Sequence, residues 1–348
     1  MSYLHTVRVK AMNIKEFARS IGVSPTTVSA VLTGKGRISD STREMVRRKM
    51  IEHGFTPNLN ARRLVRGRSF LVALSHLDRR AASDLFTMQI ARAIVQPLRS
   101  FGYDLMLDLA PDSMGEYKVI RQLVKSSTID GTIVIGGSDI PVQLLNDLAS
   151  VEHPCVVIAQ RSAESIPGVG SVAINLRPGL DQTAKYLVDN GHHKIGFIDS
   201  DLRDEVSGLF AEAVEAIGVH LSKDNYVVGG RDVEEGAAAL RVLMSRRFPP
   251  TAILARTDVL AVGALREARS MGLSIPDDLS IIGHDDLSLL SLIEPGLTTI
   301  RVNCTELAES AASVFHELLM SPDTVPAARV SDTCLMIRRT AGRAKAES

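Results

Sequence analysis

Hydrophobic residues near the N-terminus recur at helical spacing in three short stretches. The first stretch places its apolar residues on one helix face: Ile14, Phe17, Ala18 and Ile21. Asn13 can cap this helix at its N-terminus, and Gly22 ends it. The spacing therefore predicts a helix over residues 14–21.

Two further helices follow at short intervals. The second is predicted from Pro25 to about Thr33, because Ser is a good N-cap and Pro is favoured at the first helical position. The third is predicted from a Ser39 cap to about His53, with Gly54 after its end. The residues expected to face inward are Val28, Val31 and Leu32 in the second helix and Met45, the Lys49 stem, Met50 and Ile51 in the third. A Gly-containing turn between two short helices is typical of a helix-turn-helix.

The rest of the chain alternates strand-like and helix-like segments. Strands are predicted at 71–74, 105–109, 132–135, 155–159, 172–174, 195–198, 226–228, 252–254, 280–283 and 298–302. Helices are predicted at 85–101, 115–126, 141–150, 178–190, 208–217, 233–246, 259–271 and 306–320. This alternation predicts two doubly wound α/β lobes, with a ligand cleft between them at the carboxyl ends of the strands.

The charge of the chain is unevenly distributed. The net charge is zero, but residues 1–68 hold 14 basic and only 4 acidic side chains. A basic head on an acidic body indicates a polyanionic partner such as nucleic acid, and the alternative is a solvated basic face.

No apolar run approaches the ~18 residues of a membrane span, and residues 1–20 contain no secretory signal. The three widely spaced cysteines fit a reducing cytoplasm.

The second helix carries the side chains that suit a major groove. Its hydroxyls, on Thr26, Thr27, Ser29 and Thr33, and the positive end of the helix can contact base edges and phosphates. Arg43, Arg47 and Arg48 add positive charge nearby. The alternative for the three helices is a small bundle used for protein contact.

A short basic segment follows Pro57 and has too little apolar surface to fold alone. We expect residues 58–68 to form a helix only against DNA or a second copy of the chain. Leu64 is the candidate wedge between base pairs of the minor groove. The alternative is that Leu64 packs on the body of the protein.

The head and this segment resemble the lactose-repressor (LacI) family of bacterial transcription regulators. The residues that carry the resemblance are NIKEFAR (13–19), GVSPTTVS (22–29), LTGK (32–35), GFTPN (54–58) and ARRL (61–64). The family usually has Arg where this chain has Ala30, and in its members the positions matching Pro25, Thr26 and Ala30 face bases. The candidate DNA contacts are Ser24, Pro25, Thr26, Thr27, Ser29, Ala30, Thr33, Arg37, Asn58, Arg62 and Leu64.

The body is similar to the same family at residues 130–135, 186–198, 258–265, 275–286 and 295–300. The resemblance implies a helix-turn-helix domain at 12–57, a hinge at 58–68 and a periplasmic-binding-protein-like core at 69–340 that dimerises along its long side. Within this core we expect a first lobe at about 69–169 with 300–324, and a second at about 170–298 with 326–340. Residues 1–11 precede the expected start of the head, so they are either a disordered arm or an upstream mis-start at the gene level.

The resemblance weakens in the expected pocket. Asp285 matches a family Asp that accepts hydrogen bonds from ligand hydroxyls, and Phe86 matches an aromatic position near the cleft. Thr257 stands where the family has Asn, and the ligand-clamping Arg falls on Glu205 or Val206. The candidate effector contacts are Phe86, Arg161, Arg203, Glu205, Thr257 and Asp285. Asp285 suits a carbohydrate or nucleoside effector. The departures at the other positions indicate either an effector of another class or a reduced response to effector. The alternative for Asp285 is that it only caps residues 287–292.

These features predict a cytoplasmic, homodimeric repressor that binds a pseudo-palindromic operator and needs no cofactor, metal or membrane. A small molecule in the cleft would modulate it. Two other classes remain open: a sugar- or nucleoside-binding module without a DNA role, and an enzyme, for which no nucleophile–base constellation is visible. The adjacent histidines His192 and His193 are expected to be solvated cations at a helix end.

Overall fold

The computed structural model describes residues 12–33, 36–55, 67–76, 85–108, 117–136, 142–160, 166, 168–200, 206–321 and 326–345, without the side chains of Thr33 and Ser291. The chain divides between Ser69 and Phe70 into two compact units, a head and a core. The predicted hinge residues Asn58, Arg62 and Leu64 lie outside the described residues.

The described part of the head consists of three helices: α1 (Ile14–Ser20), α2 (Pro25–Thr33) and α3 (Asp40–Glu52). All three confirm the predicted elements to within one or two residues. Their buried side chains form one small core of Phe17, Ala18, Val28, Val31, Val46 and Phe55. The inward face predicted for α3 was partly wrong: Val46 is fully buried, whereas Ile51 is 84% exposed. At 100° per residue, Ile51 lies about 140° around the helix from Val46 and so faces away from the core.

The core unit alternates strands and helices as the sequence pattern indicated. Its strands are β1 (Leu71–His76), β2 (Asp104–Asp108), β3 (Gly131–Ile135), β4 (Cys155–Ala159), β5 (Val169–Asn175), β6 (Ile195–Asp199), β7 (Tyr226–Val228), β8 (Ala252–Ala255), β9 (Ser280–Asp285), β10 (Thr298–Arg301), β11 (Arg329–Asp332) and β12 (Cys334–Met336). Its helices are α4 (Leu85–Ser100), α5 (Lys118–Lys125), α6 (Val142–Ser150), α7 (Arg177–Asp189), α8 (Val206–Glu215), α9 (Val233–Met244), α10 (Asp258–Ser270) and α11 (Cys304–Met320).

The strands form two six-stranded sheets, ordered β11-β5-β4-β3-β1-β2 and β12-β10-β9-β8-β6-β7. Every described pairing is parallel except that of β12 with β10. Three strands lie in a different sheet from the one we expected. Strands β5 and β11 belong to the first sheet, and β10 belongs to the second. Each of these strands lies next to a point where the chain crosses between the sheets, so its hydrophobic pattern does not indicate which sheet it joins.

Each sheet is covered by helices on both faces, which accounts for its nearly continuous buried strands. In β4, Val156 and Ile158 pack in the cluster that includes α4 and α11, whereas Val157 packs in the cluster that includes α5 and α6. In the second sheet, α7 and α8 cover one face, and α9 and α10 cover the other. None of the described helices is both long enough and apolar enough to cross a membrane.

Candidate DNA interface and effector cleft

Helix α2 begins at a side-chain cap. The Ser24 hydroxyl accepts a hydrogen bond from the Thr27 amide at 3.0 Å. The same oxygen lies 2.6 Å from Thr26 Oγ1 and 2.8 Å from Thr27 Oγ1. The three hydroxyls therefore form one cluster at the positive end of the helix, where phosphates or base edges would approach.

The outer face of α2 carries small side chains. Pro25 and Thr26 are exposed, and Ser29 and Ala30 are half-buried, while Val28 and Val31 fill the core on the opposite side. Helix α1 is held by a capping box, in which Asn13 Oδ1 accepts from the Glu16 amide and Glu16 Oε2 accepts from the Asn13 amide, both at 3.0 Å. The structure thus brings the predicted residues Pro25, Thr26, Ser29 and Ala30 to the side of α2 that faces away from the head core, while the side chain of Thr33 lies outside the described part of the chain.

Several basic side chains of the head are available for phosphates. Lys15, Arg19, Arg37 and Arg47 are exposed and have no ion pair among the residues that the structure describes. Arg48 instead lies 3.7 Å from Glu52, which also pairs with Lys49. Of the three arginines that the sequence singled out in this helix, Arg47 is therefore the best placed to bind a polyanion.

The core contains a second cluster of polar groups, at the carboxyl end of β9. His284 is almost fully buried, and its Nδ1 lies 3.0 Å from Asp285 Oδ1. Its Nε2 has no hydrogen-bond partner within the described part of the chain. Asp285 and Asp286 both have positive φ angles, 113° and 55°, which non-glycine residues rarely adopt and which cost on the order of 1–3 kcal/mol.

Asp286 is a structural residue of this cluster. Its Oδ2 accepts from Arg301 Nε at 2.6 Å, and its Oδ1 accepts from Arg338 Nη2 at 2.5 Å. Both oxygens of Asp286 are thus bound to cations, while Asp285 has only His284 as a described side-chain partner. Sequence analysis missed His284, although a histidine directly before Asp285 at a strand end was a usable signal.

Asp258, at the start of α10, is buried beside this pair of carboxylates. Its Oδ1 accepts from Thr299 Oγ1 at 2.5 Å, and its Oδ2 accepts from the Leu287 amide at 2.8 Å. Burial, with the nearby charges of Asp285 and Asp286, raises the pKa of Asp258 to about 8. Asp258 rather than Asp285 holds the Leu287 amide, so the capping alternative proposed for Asp285 was wrong.

A single glutamine connects α4, which covers the first sheet, with the segment that follows β9 in the second. Gln89 Oε1 accepts from the Ser288 amide at 2.9 Å. Its Nε2 lies 3.4 Å from the Asp286 carbonyl oxygen and 3.4 Å from Cys304 Sγ. This side chain therefore joins the two lobes beside the carboxylate cluster, and no sequence motif had identified it.

Two other predicted effector contacts, Thr257 and Phe86, lie within the described residues, and each has a structural role there. Thr257 is the N-cap of α10, since its Oγ1 accepts from the Leu260 amide at 3.2 Å. Phe86 is half-buried in the first turn of α4 and packs on the core. The candidates Arg161, Arg203 and Glu205 lie outside the described residues, so their role remains a prediction.

The prediction for His192 was wrong. His192 is buried, with its Nδ1 2.9 Å from Thr251 Oγ1 and its Nε2 3.0 Å from the Gly342 carbonyl oxygen. Burial lowers the pKa of its imidazole. The neighbouring His193 is exposed. Gly342, which His192 contacts, lies 150 residues further along the chain. A local sequence pattern therefore does not indicate that His192 is buried.

The sequence matches two family models: "Bacterial regulatory proteins, lacI family" over residues 13–58, and "Periplasmic binding protein-like domain" over residues 184–341. The HTH-type transcriptional regulator DegA of Bacillus subtilis is 33% identical over 297 residues, which are 82% of this chain and 85% of DegA. A solved Lac repressor dimer bound to operator and the anti-inducer ONPF is 21% identical, with a TM-score of 0.77 over 95% of this chain and 99% of that one. A complex of the transcriptional regulator CelR with cellobiose is 24% identical, with a TM-score of 0.69 over 94% and 99% of the two chains.

Proposed function

We propose that this chain, which belongs to the LacI family of bacterial regulatory proteins, represses transcription as a homodimer bound to operator DNA. The proteins of this family are DNA-binding transcription regulators and not enzymes. The observation that carries the proposal is the exposed face of α2, whose capped N-terminus and small side chains suit the major groove.

Each head contacts one half-site, so the operator is pseudo-palindromic, with half-sites one helical turn or a multiple of it apart. Ser24, Pro25, Thr26, Thr27, Ser29, Ala30 and Thr33 are the proposed contacts of α2. Arg37 of the head and Asn58, Arg62 and Leu64 of the hinge are the proposed flanking contacts. The domain boundaries at 57 and 68 separate head, hinge and core in this proposal.

The cleft between the lobes binds a small molecule that changes DNA affinity. Asp285 is the proposed ligand carboxylate, because Asp286 is already bound to Arg301 and Arg338 and Asp285 is not. A carboxylate that accepts from hydroxyl groups suits a carbohydrate or a nucleoside. The similar CelR structure is a complex with cellobiose, which supports the carbohydrate class. A bacterial regulator with a DNA partner acts in the cytoplasm, which is the compartment we propose.

The DNA-binding proposal is tested by a mobility-shift assay of the full-length chain with duplex fragments from around its own gene. We expect one fragment to be shifted selectively, in a complex that contains two copies of the chain. Leu64→Ala should weaken binding to that fragment far more than binding to unrelated duplex. Equal shifts of all fragments by the wild-type chain would contradict the proposal.

The effector proposal is tested by a thermal-shift screen of sugars, sugar phosphates and nucleosides. A ligand present at 100 times its Kd should stabilise the chain by about 2.7 kcal/mol. Asp285→Ala should remove this stabilisation. The control is Arg339→Ala, because Arg339 is exposed and its one ion pair among the described residues is with exposed Glu294, at 3.5 Å. A ligand that stabilises the Asp285→Ala variant fully would exclude Asp285 from the site.

A further inference from the structure

The sequence of α2, PTTVSAVLT, contains none of the side chains that distinguish bases by paired hydrogen bonds. Those side chains are Arg and Lys, which bind guanine, and Asn and Gln, which bind adenine. Ser and Thr hydroxyls bind several bases and therefore discriminate poorly between them. Direct recognition by this helix needs another kind of contact.

The hydroxyls at the start of α2 are already shared within the protein. Thr26 Oγ1 and Thr27 Oγ1 lie 2.6 and 2.8 Å from Ser24 Oγ, which also holds the Thr27 amide. Thr26 is nevertheless exposed on the outer face of the helix. Because these hydroxyls already bind one another, the methyl groups of this face are the groups best suited to distinguish one base from another.

Ala30 adds a second methyl group on the same face, one turn after Thr26. Positions four residues apart on a helix are neighbours, so the two methyl groups lie side by side. Gly36, beyond the end of α2, lies close to Ala30: a Cβ built on Gly36 would be 3.7 Å from Ala30 Cβ. Ala30 is half-buried, so part of its methyl group remains accessible.

We propose that α2 recognises T·A pairs through contact of its Thr26 and Ala30 methyl groups with the C5 methyl groups of thymines in each half-site. In the major groove this methyl group is displayed only by thymine among the four bases, and apolar contacts with Ala and Thr methyl groups are a known way of detecting it. The inference rests on the proposed function, because it assumes that α2 enters the groove of an operator.

The test begins with selection of binding sites from a library of duplexes with 20 random base pairs, using the full-length chain. In the selected duplex, each thymine is then replaced singly by deoxyuridine, which removes only the C5 methyl group. We expect a loss of about fourfold in affinity at one or two thymines of each half-site, since burying one methyl-sized group contributes about 0.8 kcal/mol. Thymines elsewhere in the duplex should be replaceable without loss.

Two variants of one residue assign the contact. Thr26→Ser removes the methyl group and keeps the hydroxyl that binds Ser24, whereas Thr26→Val keeps a methyl group and removes the hydroxyl. Thr26→Ser should bind the thymine duplex about fourfold more weakly and should bind thymine and uracil duplexes equally at the contacted position. Thr26→Val should still prefer thymine over uracil by about fourfold. Ala30→Gly tests the second methyl group in the same way.

Selective binding that is unchanged by every uracil substitution would overturn this inference and leave the proposed function intact. A preference for thymine that persists in full in both Thr26→Ser and Ala30→Gly would also overturn it, because the contact would then come from another element. A chain that selects no sequence at all would overturn the inference and the proposed function together.

Discussion

The polar contacts of the head and those of the cleft differ in the length of chain that they span. In the head, Asn13 binds Glu16, Ser24 binds Thr27 and Ser39 binds Thr42, each pair three residues apart. In the cleft, Asp258 binds Thr299 and Asp286 binds Arg338, at separations of 41 and 52 residues. The surface that we propose contacts DNA is therefore built by local caps on a small core, whereas the proposed effector cleft depends on the completed fold of the second lobe.

The largest effect is expected from Phe17→Ala in the head. Phe17 is fully buried and stacks on Phe55 with ring centroids 4.1 Å apart. Its truncation should cost the head about 3–5 kcal/mol, enough to unfold a domain of this size. Mobility shift should show loss of selective DNA binding, while calorimetry should show the melting transition of the core unchanged.

The matched control for Phe17→Ala is Ile51→Ala, since Ile51 is 84% exposed in the same unit. It should change stability by less than about 0.5 kcal/mol and leave selective binding intact. A Phe17→Ala protein that still selects its operator, or whose core melts at a lower temperature, would contradict the division into a head and a core that are stabilised separately.

The second largest effect concerns the pH dependence of the core. The folded pKa of Asp258 is about 8 and exceeds its ordinary value of 3.8, so the folded chain binds the extra proton between these values. Stability from this group is full at low pH and is lost as pH rises towards 8, by about 1.4 kcal/mol per pH unit for one proton. Urea unfolding should therefore show a loss of about 2 kcal/mol between pH 6.5 and 8.

Asp258→Asn keeps groups that can bind Thr299 and the Leu287 amide but does not titrate, so the loss of stability between pH 6.5 and 8 should be absent in this variant. Burial lowers the pKa of His153 to about 4 and also lowers the pKa of His192. The histidines act with the opposite sign because their unfolded imidazoles, with an ordinary pKa of 6.5, bind the proton more readily, so the stability that they contribute rises as the pH passes through this value. An equal pH slope in wild type and Asp258→Asn would exclude Asp258 as its source.

The smallest effect is expected at the contact between the lobes. Gln89→Met keeps the length of the side chain and removes the acceptor of the Ser288 amide, at a cost of about 1 kcal/mol. Hydrogen exchange at the Ser288 amide should accelerate about fivefold. The Leu287 amide, which Asp258 holds at 2.8 Å, is the internal control and should exchange at an unchanged rate. Equal acceleration of exchange at both amides would contradict this prediction, because it would mean that Gln89 stabilises the whole segment after β9 and not only the Ser288 amide.

The difference in sequence separation between contacts of the head and contacts of the core also explains how much of the structure the sequence predicted. The helices of the head were predicted to within two residues because their caps and periodic apolar residues lie within a few positions of one another. Ten core strands were predicted comparably well, but β11 and β12 were not predicted as strands. The segments of β5, β10 and β11 were assigned to the wrong lobe, since pairing partners are distant in sequence.

At the candidate sites, the exposed face of α2 follows from helical periodicity alone. The roles of Asp258, Gln89 and His192 do not, because each is defined by a partner that folding brings close. Asp285 was selected through family resemblance, and the structure adds that its backbone is held at a positive φ of 113°. Its contact with an effector stays a prediction.

We propose that the head binds one DNA sequence selectively through α2 and that its basic side chains bind phosphates. The most direct measurement is a titration of the full-length chain with a selected duplex and with a scrambled duplex of equal composition, at several salt concentrations. We expect at least about 1,000-fold tighter binding to the selected duplex, and a linear fall of log K with log salt for both duplexes. Equal affinity for the two duplexes at every salt concentration would contradict it.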